Sequence, residues 1–360
     1  MKTRLLELHK YGWARVVLTL VVMAGALALL WWRGPSLTAI GDAFAQVEWQ
    51  WVVVAIGLNL LSVVFRALAW RTVINQAMTK PHPSVPLVFS AFSVGLFANA
   101  VLPGRIGELA RVAVLNRKLP RRRGLWATLV GTVFAHRVFD LVPVLILILY
   151  VVRTAKIPAW AITSLLVFVG VGSGLFAFAF ASARRPYAHM HALDSIGAAR
   201  RLTAMARQGL GVMRSPIGAT LAILLQISGW VCQLLAVYTA LRAFDISAPI
   251  PAAAVVLLLM NVATVFPLWP GNVGLVQVAI AAPLAASYGV AYAHGVAFGF
   301  GLQAIEASVG IGVGLLFLAR EGLSFAMLRV MPSAAQAEMN AEEEEEEPAN
   351  DAPVRSRVPG

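Results

Sequence analysis

The chain has 360 residues, 59% of them hydrophobic and 13% charged, with a mean hydropathy of +0.77. Soluble domains carry roughly 25% charged residues, so the composition excludes an ordinary soluble fold and points to a polytopic membrane protein. The net charge of +12 does not indicate nucleic acid, because Lys and Arg cluster in short loops beside apolar runs, the positive-inside pattern, which also suits anionic headgroups at the cytoplasmic surface. The lone cysteine, Cys232, excludes a disulfide framework and a thiolate metal site, and no cofactor or metal is expected.

Residues 1–15 carry Lys2, Arg4, Lys10 and Arg15 and are expected in the cytoplasm. The run Val16–Trp32 ends in Trp-Trp-Arg without a small-residue cleavage site, so it reads as a first span and not as a removed signal. The 33–49 loop then lies outside, and Trp51–Trp70 returns the chain to Arg71 and Lys80 inside. Trp31, Trp32, Trp49, Trp51 and Trp70 mark span ends and read as an interfacial belt. If Val85–Leu102 were a simple span, Arg105, Arg111, Arg117, Lys118, Arg121, Arg122 and Arg123 would fall on the wrong side. The conflict disappears if residues 85–118 form a hairpin that enters from the cytoplasm, turns at Pro103-Gly104 and returns, leaving Lys118 and Arg122 cytoplasmic. Proline lacks a backbone donor and glycine lacks a stiffening side chain, so the pair breaks any helix through it. Broken backbone at membrane depth is tolerated only where protein or a water-filled cavity covers it.

Gly124–Val152 exits, and Ala159–Ala181 returns to an arginine-rich 182–216 loop. There, Met190, Leu193, Ile196 and Leu202 suggest either a helix on the anionic surface or an ordinary basic loop. Ile217–Leu241 exits to a loop with only Arg242. Pro251–Val290 has no Lys or Arg and contains Pro270-Gly271; it reads as a second hairpin, entering from outside and leaving Ser287 and Tyr288 external. Tyr292–Ala319 returns to Arg320, and residues 331–360 form a disordered acidic cytoplasmic tail. The fold expected is an all-α polytopic membrane protein with about six full spans plus two re-entrant Pro-Gly hairpins. Pro103-Gly104-x-x-Gly107 matches Pro270-Gly271-x-x-Gly274 at an offset of 167, which also carries Gln50 to Ile217 and Gly124 to Ala291. The chain thus divides into a first membrane repeat, 16–153, and an inverted second, 154–320; inverted repeats with broken helices near the midplane are a transporter signature.

Charges at membrane depth mark functional sites by default. Glu108 and Arg111 sit at i, i+3 just after the first break, where a helix starting at Gly104 would turn free N–H groups toward an anion. Arg105 either joins them or snorkels to the interface. Arg137 and Asp140 share a helix face, with the arginine suited to a lipid phosphate and Asp140 placed to orient it or meet a cationic headgroup. For both pairs the alternative is a structural ion pair between helices. Gln303 and Glu306 fall within one residue of the repeat-related places of Arg137 and Asp140; Glu306 reads either as a proton-coupling site or as a hydrogen-bonded core carboxyl. His136 reads as a packing residue. Pro103, Gly104, Gly107, Pro270, Gly271 and Gly274 are the helix-break and hinge positions.

The pattern Asn99-x-x-x-Pro103-Gly104-x-x-Gly107-Glu108-x-x-Arg111, followed by Arg137-x-x-Asp140 and Pro270-Gly271-x-x-Gly274, resembles the lysylphosphatidylglycerol synthase transmembrane-region family over roughly residues 15–320. That family includes the flippase part of a bacterial synthase/flippase and stand-alone members, some associated with hopanoid biosynthesis. The resemblance implies lipid translocation or lipid handling. Bifunctional members carry a large soluble aminoacyl-transferase domain after the membrane part; here about 40 residues follow, so lipid aminoacylation is not carried over.

The expected function is therefore that of a membrane lipid transporter or flippase and not of an enzyme. It would bind a phosphate-bearing lipid, an anionic phospholipid or other polar lipid, through Asn99, Arg105, Glu108, Arg111, Arg137, Asp140, Gln303 and Glu306. The location expected is the inner (plasma) membrane with both termini cytoplasmic. A cavity that is cationic toward the cytoplasm and nearly neutral outward predicts inner-to-outer movement. Two alternatives stand beside this: a non-catalytic membrane partner of a lipid-modifying enzyme, and a membrane-embedded lipid transferase using Glu108 or Asp140 as a base. Besides lipid, the partners considered are such an enzyme or a second copy of the chain.

Overall fold

A chain in hydrocarbon must satisfy its own backbone hydrogen bonds, and apolar runs of this length do so as helices. The computed structural model describes residues 36–78, 80–102, 106–120, 125–157, positions 162–163, 165–167, 169–171 and 174, and residues 215–264 and 270–322. The expected first span, the Pro103-Gly104-Arg105 break, Arg121–Arg123, most of Ala159–Ala181, the basic loop to residue 214 and the acidic tail lie outside these.

The described elements are all helical: α1 (Leu37–Ala45), α2 (Trp49–Ala77), α3 (Val85–Val101), α4 (Gly107–Lys118), α5 (Leu125–Thr154), α6 (Pro216–Ala243), α7 (Ile250–Ala263), α8 (Leu275–Tyr288) and α9 (Tyr292–Arg320), with a 3-10 turn at Pro270–Asn272. Helices α2, α5, α6 and α9 have 28 to 30 residues and are apolar enough to cross a membrane. At about 1.5 Å per residue each exceeds the roughly 30 Å of hydrocarbon. The expected hairpins appear as two pairs of shorter helices that pack on each other, α3 with α4 and α7 with α8. Trp49 and Pro216, the starts of α2 and α6, are 167 residues apart, and so are Leu125 and Tyr292, the starts of α5 and α9. The repeat offset read from the Pro-Gly motifs thus recurs in the starting positions of the elements.

Two expectations are corrected. The 33–49 segment is not merely a loop: Ser36 caps α1, its Oγ accepting from the Ala39 N–H at 3.3 Å. Trp49 and Trp51 are exposed as interfacial residues are, but Trp70 is fully buried, its Nε1 donating to Thr132 Oγ1 at 3.1 Å. A tryptophan with its indole N–H satisfied inside the protein has no need of the interface.

The described residues group into two units, and each draws on both halves of the chain. The first takes residues up to Ser62, Val144–Gly172 and Trp230–Val309. Its centre is α7, buried from Ala252 to Met260 because it is apolar all round. Val276, Ile280 and Leu284 of α8 join the same core, and Phe244 stacks edge-on with Phe44 and Phe298 at 5.4 and 5.8 Å. Lipid tails are as apolar as leucine, so this core is held by close van der Waals packing more than by exclusion of water. The second unit takes Val63–Pro143, Ser173–Gly229 and Gly310 onward. One core cluster there is small, formed by Val73, Ala135, Val138, Phe139 and Ala222. Most of the buried polar and charged side chains named below belong to this unit.

Candidate functional site

Helix α4 emerges from the first Pro-Gly break, and its start decides where Glu108 and Arg111 lie. The Gly107 N–H donates to Asn99 Oδ1 of α3 at 2.9 Å. A Cβ on Gly107 would lie 1.9 Å from the Gly95 carbonyl oxygen and 2.6 Å from Asn99 Oδ1, and one on Gly95 would lie 2.8 Å from the Gly107 carbonyl. The two arms therefore touch backbone to backbone, which only glycine at both positions permits. Sequence reasoning expected a helix from Gly104 with open N–H groups; instead α4 begins at Gly107, and Asn99 caps it. Gly95 was not foreseen. Its position one helical turn before Asn99, on the same face, was the available signal.

The two predicted charge pairs form one network. Glu108 Oε2 accepts from Arg111 Nη2 at 2.6 Å. Glu108 Oε1 accepts from Arg137 Nε at 2.9 Å and also from Arg137 Nη2. Arg137 Nη1 donates to Asp140 Oδ2 at 3.3 Å, and Asp140 Oδ1 accepts from Gln226 Nε2 of α6 at 2.9 Å. Arg111 is 4% exposed, its guanidinium 4.7 Å from the Trp70 ring centre and 5.3 Å from that of Phe92. Such cation–π contacts suit a desolvated arginine. The Arg137 side chain is 46% exposed and that of Glu108 20%. The network sets two arginines against two carboxylates, so the expected cationic excess is absent from these four; Arg105 lies outside the described residues. His136 is buried as expected, edge-on to Phe92 at 6.0 Å. Arg111 Nε, His136 Nδ1 and Gln226 Oε1 are buried without a hydrogen-bond partner among the described residues.

The second hairpin satisfies its break with amides. Gly271 (φ 69°), Asn272 (φ 45°) and Gly274 (φ 94°) have left-handed backbone, which explains the two glycines. The Gly274 N–H donates to Gln277 Oε1 at 2.6 Å, Gln277 Nε2 donates to Gln303 Oε1 at 2.7 Å, and Gln303 Nε2 donates to the Gly271 carbonyl. Asn272 Nδ2 donates to the Ala263 carbonyl at 2.7 Å. Glu306 Oε1 accepts from Gln233 Nε2 at 3.3 Å. Gln303 thus closes the turn, while Glu306 lies one helical turn further along with an amide partner.

A contact not foreseen ties the far end of the first hairpin. Glu321, just past α9, accepts from Ser90 Oγ of α3 at 2.6 Å and pairs with Lys118 Nζ of α4 at 3.1 Å. Burial raises the Glu321 carboxyl, but the Ser90 and Lys118 hydrogen bonds outweigh it and hold the group below its ordinary 4.5. The 231-residue separation between Ser90 and Glu321 left no local signal.

Residues 14–314 match the model of the family described as "Lysylphosphatidylglycerol synthase TM region". A UPF0104 membrane protein of Methanothermobacter thermautotrophicus is 24% identical over 273 residues, 71% of this chain and 78% of that protein. A UPF0104 membrane protein of Pyrococcus horikoshii is 26% identical over 132 residues, 37% of this chain and 38% of that protein. No solved structure matches. With the family match covering most of its length, the chain belongs to the lysylphosphatidylglycerol synthase TM region family, as a multi-pass membrane protein.

Proposed function

We propose that this member of the family binds a phosphate-bearing polar lipid and carries its headgroup across the inner (plasma) membrane. The observation that carries the proposal is the convergence of two arginines from different helices on one point, with Arg137 half-exposed and Arg111 buried behind it. Planar guanidinium groups bind two oxygens at once and suit phosphate. Acyl tails stay in the bilayer while the headgroup crosses, which avoids much of its desolvation cost. Residues Glu108, Arg111, Arg137 and Asp140 form the primary site; Gln303 and Glu306 lie on α9, where Gln303 closes the turn of the second hairpin.

The test is reconstitution in liposomes with headgroup-labelled lipids and a leaflet-specific quencher, scored in both directions. Movement of a phosphate-bearing lipid supports the proposal. If the protein moves none of a broad panel while a known flippase does, the transport reading fails. One observation favours a second reading: the four charges cancel, as in a network that glues helices. On that reading the chain is a non-catalytic membrane partner of a lipid-modifying enzyme, and its deletion alters that enzyme's product without changing leaflet asymmetry.

A further inference from the structure

Two arginines that converge normally repel, and here a single carboxylate prevents it. Each oxygen of Glu108 is held by a different guanidinium: Oε2 by Arg111 Nη2 at 2.6 Å, Oε1 by the Nε–Nη2 edge of Arg137. That edge is the one a guanidinium offers to a bidentate oxyanion. Asp140 differs, since it meets Arg137 through Nη1 at 3.3 Å and is itself held by Gln226. Arg111 Nε, deep in the protein, is a donor that Glu108 does not use and that has no partner among the described residues, and such a buried donor calls for an explanation. The carboxylate comes from the first turn of α4, shortly after the Pro103-Gly104 break in sequence, and is partly exposed where Arg111 is not.

From this arrangement we infer that Glu108 sits in the seat of the ligand's phosphate, a resident anion that the incoming phosphate or phosphodiester displaces from between Arg111 and Arg137. For a phosphodiester, which like the carboxylate carries one negative charge, the exchange keeps the charge of the seat constant. The arginines exchange one anion for another, and Glu108 swings toward its exposed side. The resident carboxylate prevents two converging cations, one buried and one half-exposed, from facing each other without ligand, and it makes release of the ligand as feasible as its capture. Without Glu108 the seat would hold an anion too tightly to turn over. The inference rests on the proposed function only for the class of ligand, a phosphate-bearing headgroup.

Equilibrium binding tests it apart from transport. Full-length protein in detergent is titrated calorimetrically with short-chain phosphatidylglycerol and, in a separate arm, with sodium phosphate; thermal unfolding checks the fold. Glu108→Gln is expected to tighten phosphatidylglycerol binding by about tenfold or more, the scale of a charge-assisted hydrogen bond freed from competition. Asp140→Asn removes the same charge without emptying the seat and is expected to give no such gain. A gain with phosphatidylglycerol alone assigns the seat to a lipid headgroup, and a gain with both ligands assigns it to the phosphate group itself. Glu108→Asp, whose shorter side chain cannot span both arginines, gives an intermediate gain and serves where the Gln variant does not purify. Unchanged, weaker or unmeasurable binding by a folded Glu108 variant overturns the inference. So does an equal gain from Asp140→Asn, or loss of folded protein in both Glu108 variants even with phosphatidylglycerol present. A protein that binds as expected but moves no lipid overturns the transport reading and leaves this one standing.

Discussion

The two hairpins solve one structural problem with different chemistry. Each breaks near a Pro-Gly pair, each starts its second arm at a glycine, and in each a side-chain amide oxygen accepts that glycine's N–H: Asn99 for Gly107, Gln277 for Gly274. Beyond the cap they diverge. The second hairpin closes its break with neutral amides. Around the first lie two arginines and two carboxylates. The second hairpin shows that a broken helix pair does not require charge to form. Buried ion pairs are weak evidence for stability, since their desolvation offsets much of their attraction. The charges of the first hairpin are therefore better explained by a ligand than by the fold.

That contrast breaks most readily at Arg111. Arg111→Ala leaves Glu108 short of a partner and removes the cation from over Trp70 and Phe92, and is expected to cost about 3–5 kcal/mol, as when one member of a buried pair is lost. The counterpart, Gln277→Ala, unmakes neutral hydrogen bonds and is expected to cost about 1–3 kcal/mol. Thermal unfolding of the two purified variants measures the difference; a larger loss for Gln277→Ala would reverse the contrast. The glycines come next. Gly107→Ala places a methyl group against the Gly95 carbonyl and forces the arms apart, which by the usual cost of overpacking is about 1–3 kcal/mol or more. Gly271→Ala meets Gln303 Nε2 at 3.2 Å, so its cost is mainly that of its left-handed backbone, about 1–2 kcal/mol. Gly107→Ala should lower both unfolding temperature and lipid binding, Gly271→Ala chiefly the former.

What the sequence made legible follows from what is local. The long helices begin within two residues of the apolar runs: Trp49 against Trp51, Leu125 against Gly124, Pro216 against Ile217, and Tyr292 in both. Bilayer thickness and periodicity act over one segment, so one segment reveals them. Glu108, Arg111, Arg137 and Asp140 were visible because charge in an apolar run stands out. Their joining was not, because the Arg137–Glu108 contact spans 29 residues and crosses from one helix to another. Gln226 on Asp140 and Thr132 under Trp70 are more distant still, 86 and 62 residues apart in sequence. Trp70 was misplaced for the same reason: a tryptophan at the end of an apolar run looks interfacial until its partner is known. Gly95 was overlooked because a glycine in a helix declares its use only when the helix against it is in place.

Arg137 sharpens the comparison further, because it separates function from stability. It is half-exposed, so Arg137→Ala is expected to cost less than Arg111→Ala, about 1–3 kcal/mol for leaving Glu108 and the buried Asp140 each short of a partner, while removing the outer half of the phosphate seat. Lipid movement in the liposome assay should fall to background in a variant that still folds and inserts, and Asp140→Asn should weaken it less. Normal movement with Arg137→Ala would remove this residue from the site.

The smallest effect belongs to Glu321, which acts on the first hairpin through Ser90 and Lys118. The second hairpin has no described charged pair at its ends, so only the first should respond to acid there. Lys118 is 47% exposed and the pair is correspondingly modest, so Glu321→Gln is expected to lower stability by no more than about 1 kcal/mol at neutral pH. The sign of the pH dependence follows from the direction of the shift. The folded protein holds the carboxyl below its ordinary 4.5, so folding favours the ionised form. The stabilisation is complete above the unfolded value and is lost as pH falls through the folded one. Unfolding temperatures of wild type and Glu321→Gln should therefore differ at pH 7 and converge as the pH drops below about 4.5. A gap that widens toward acid would mean that the protonated carboxyl is the stabilising form, and that the hairpin is tied by a neutral hydrogen bond to Ser90 instead of by its pairing with Lys118.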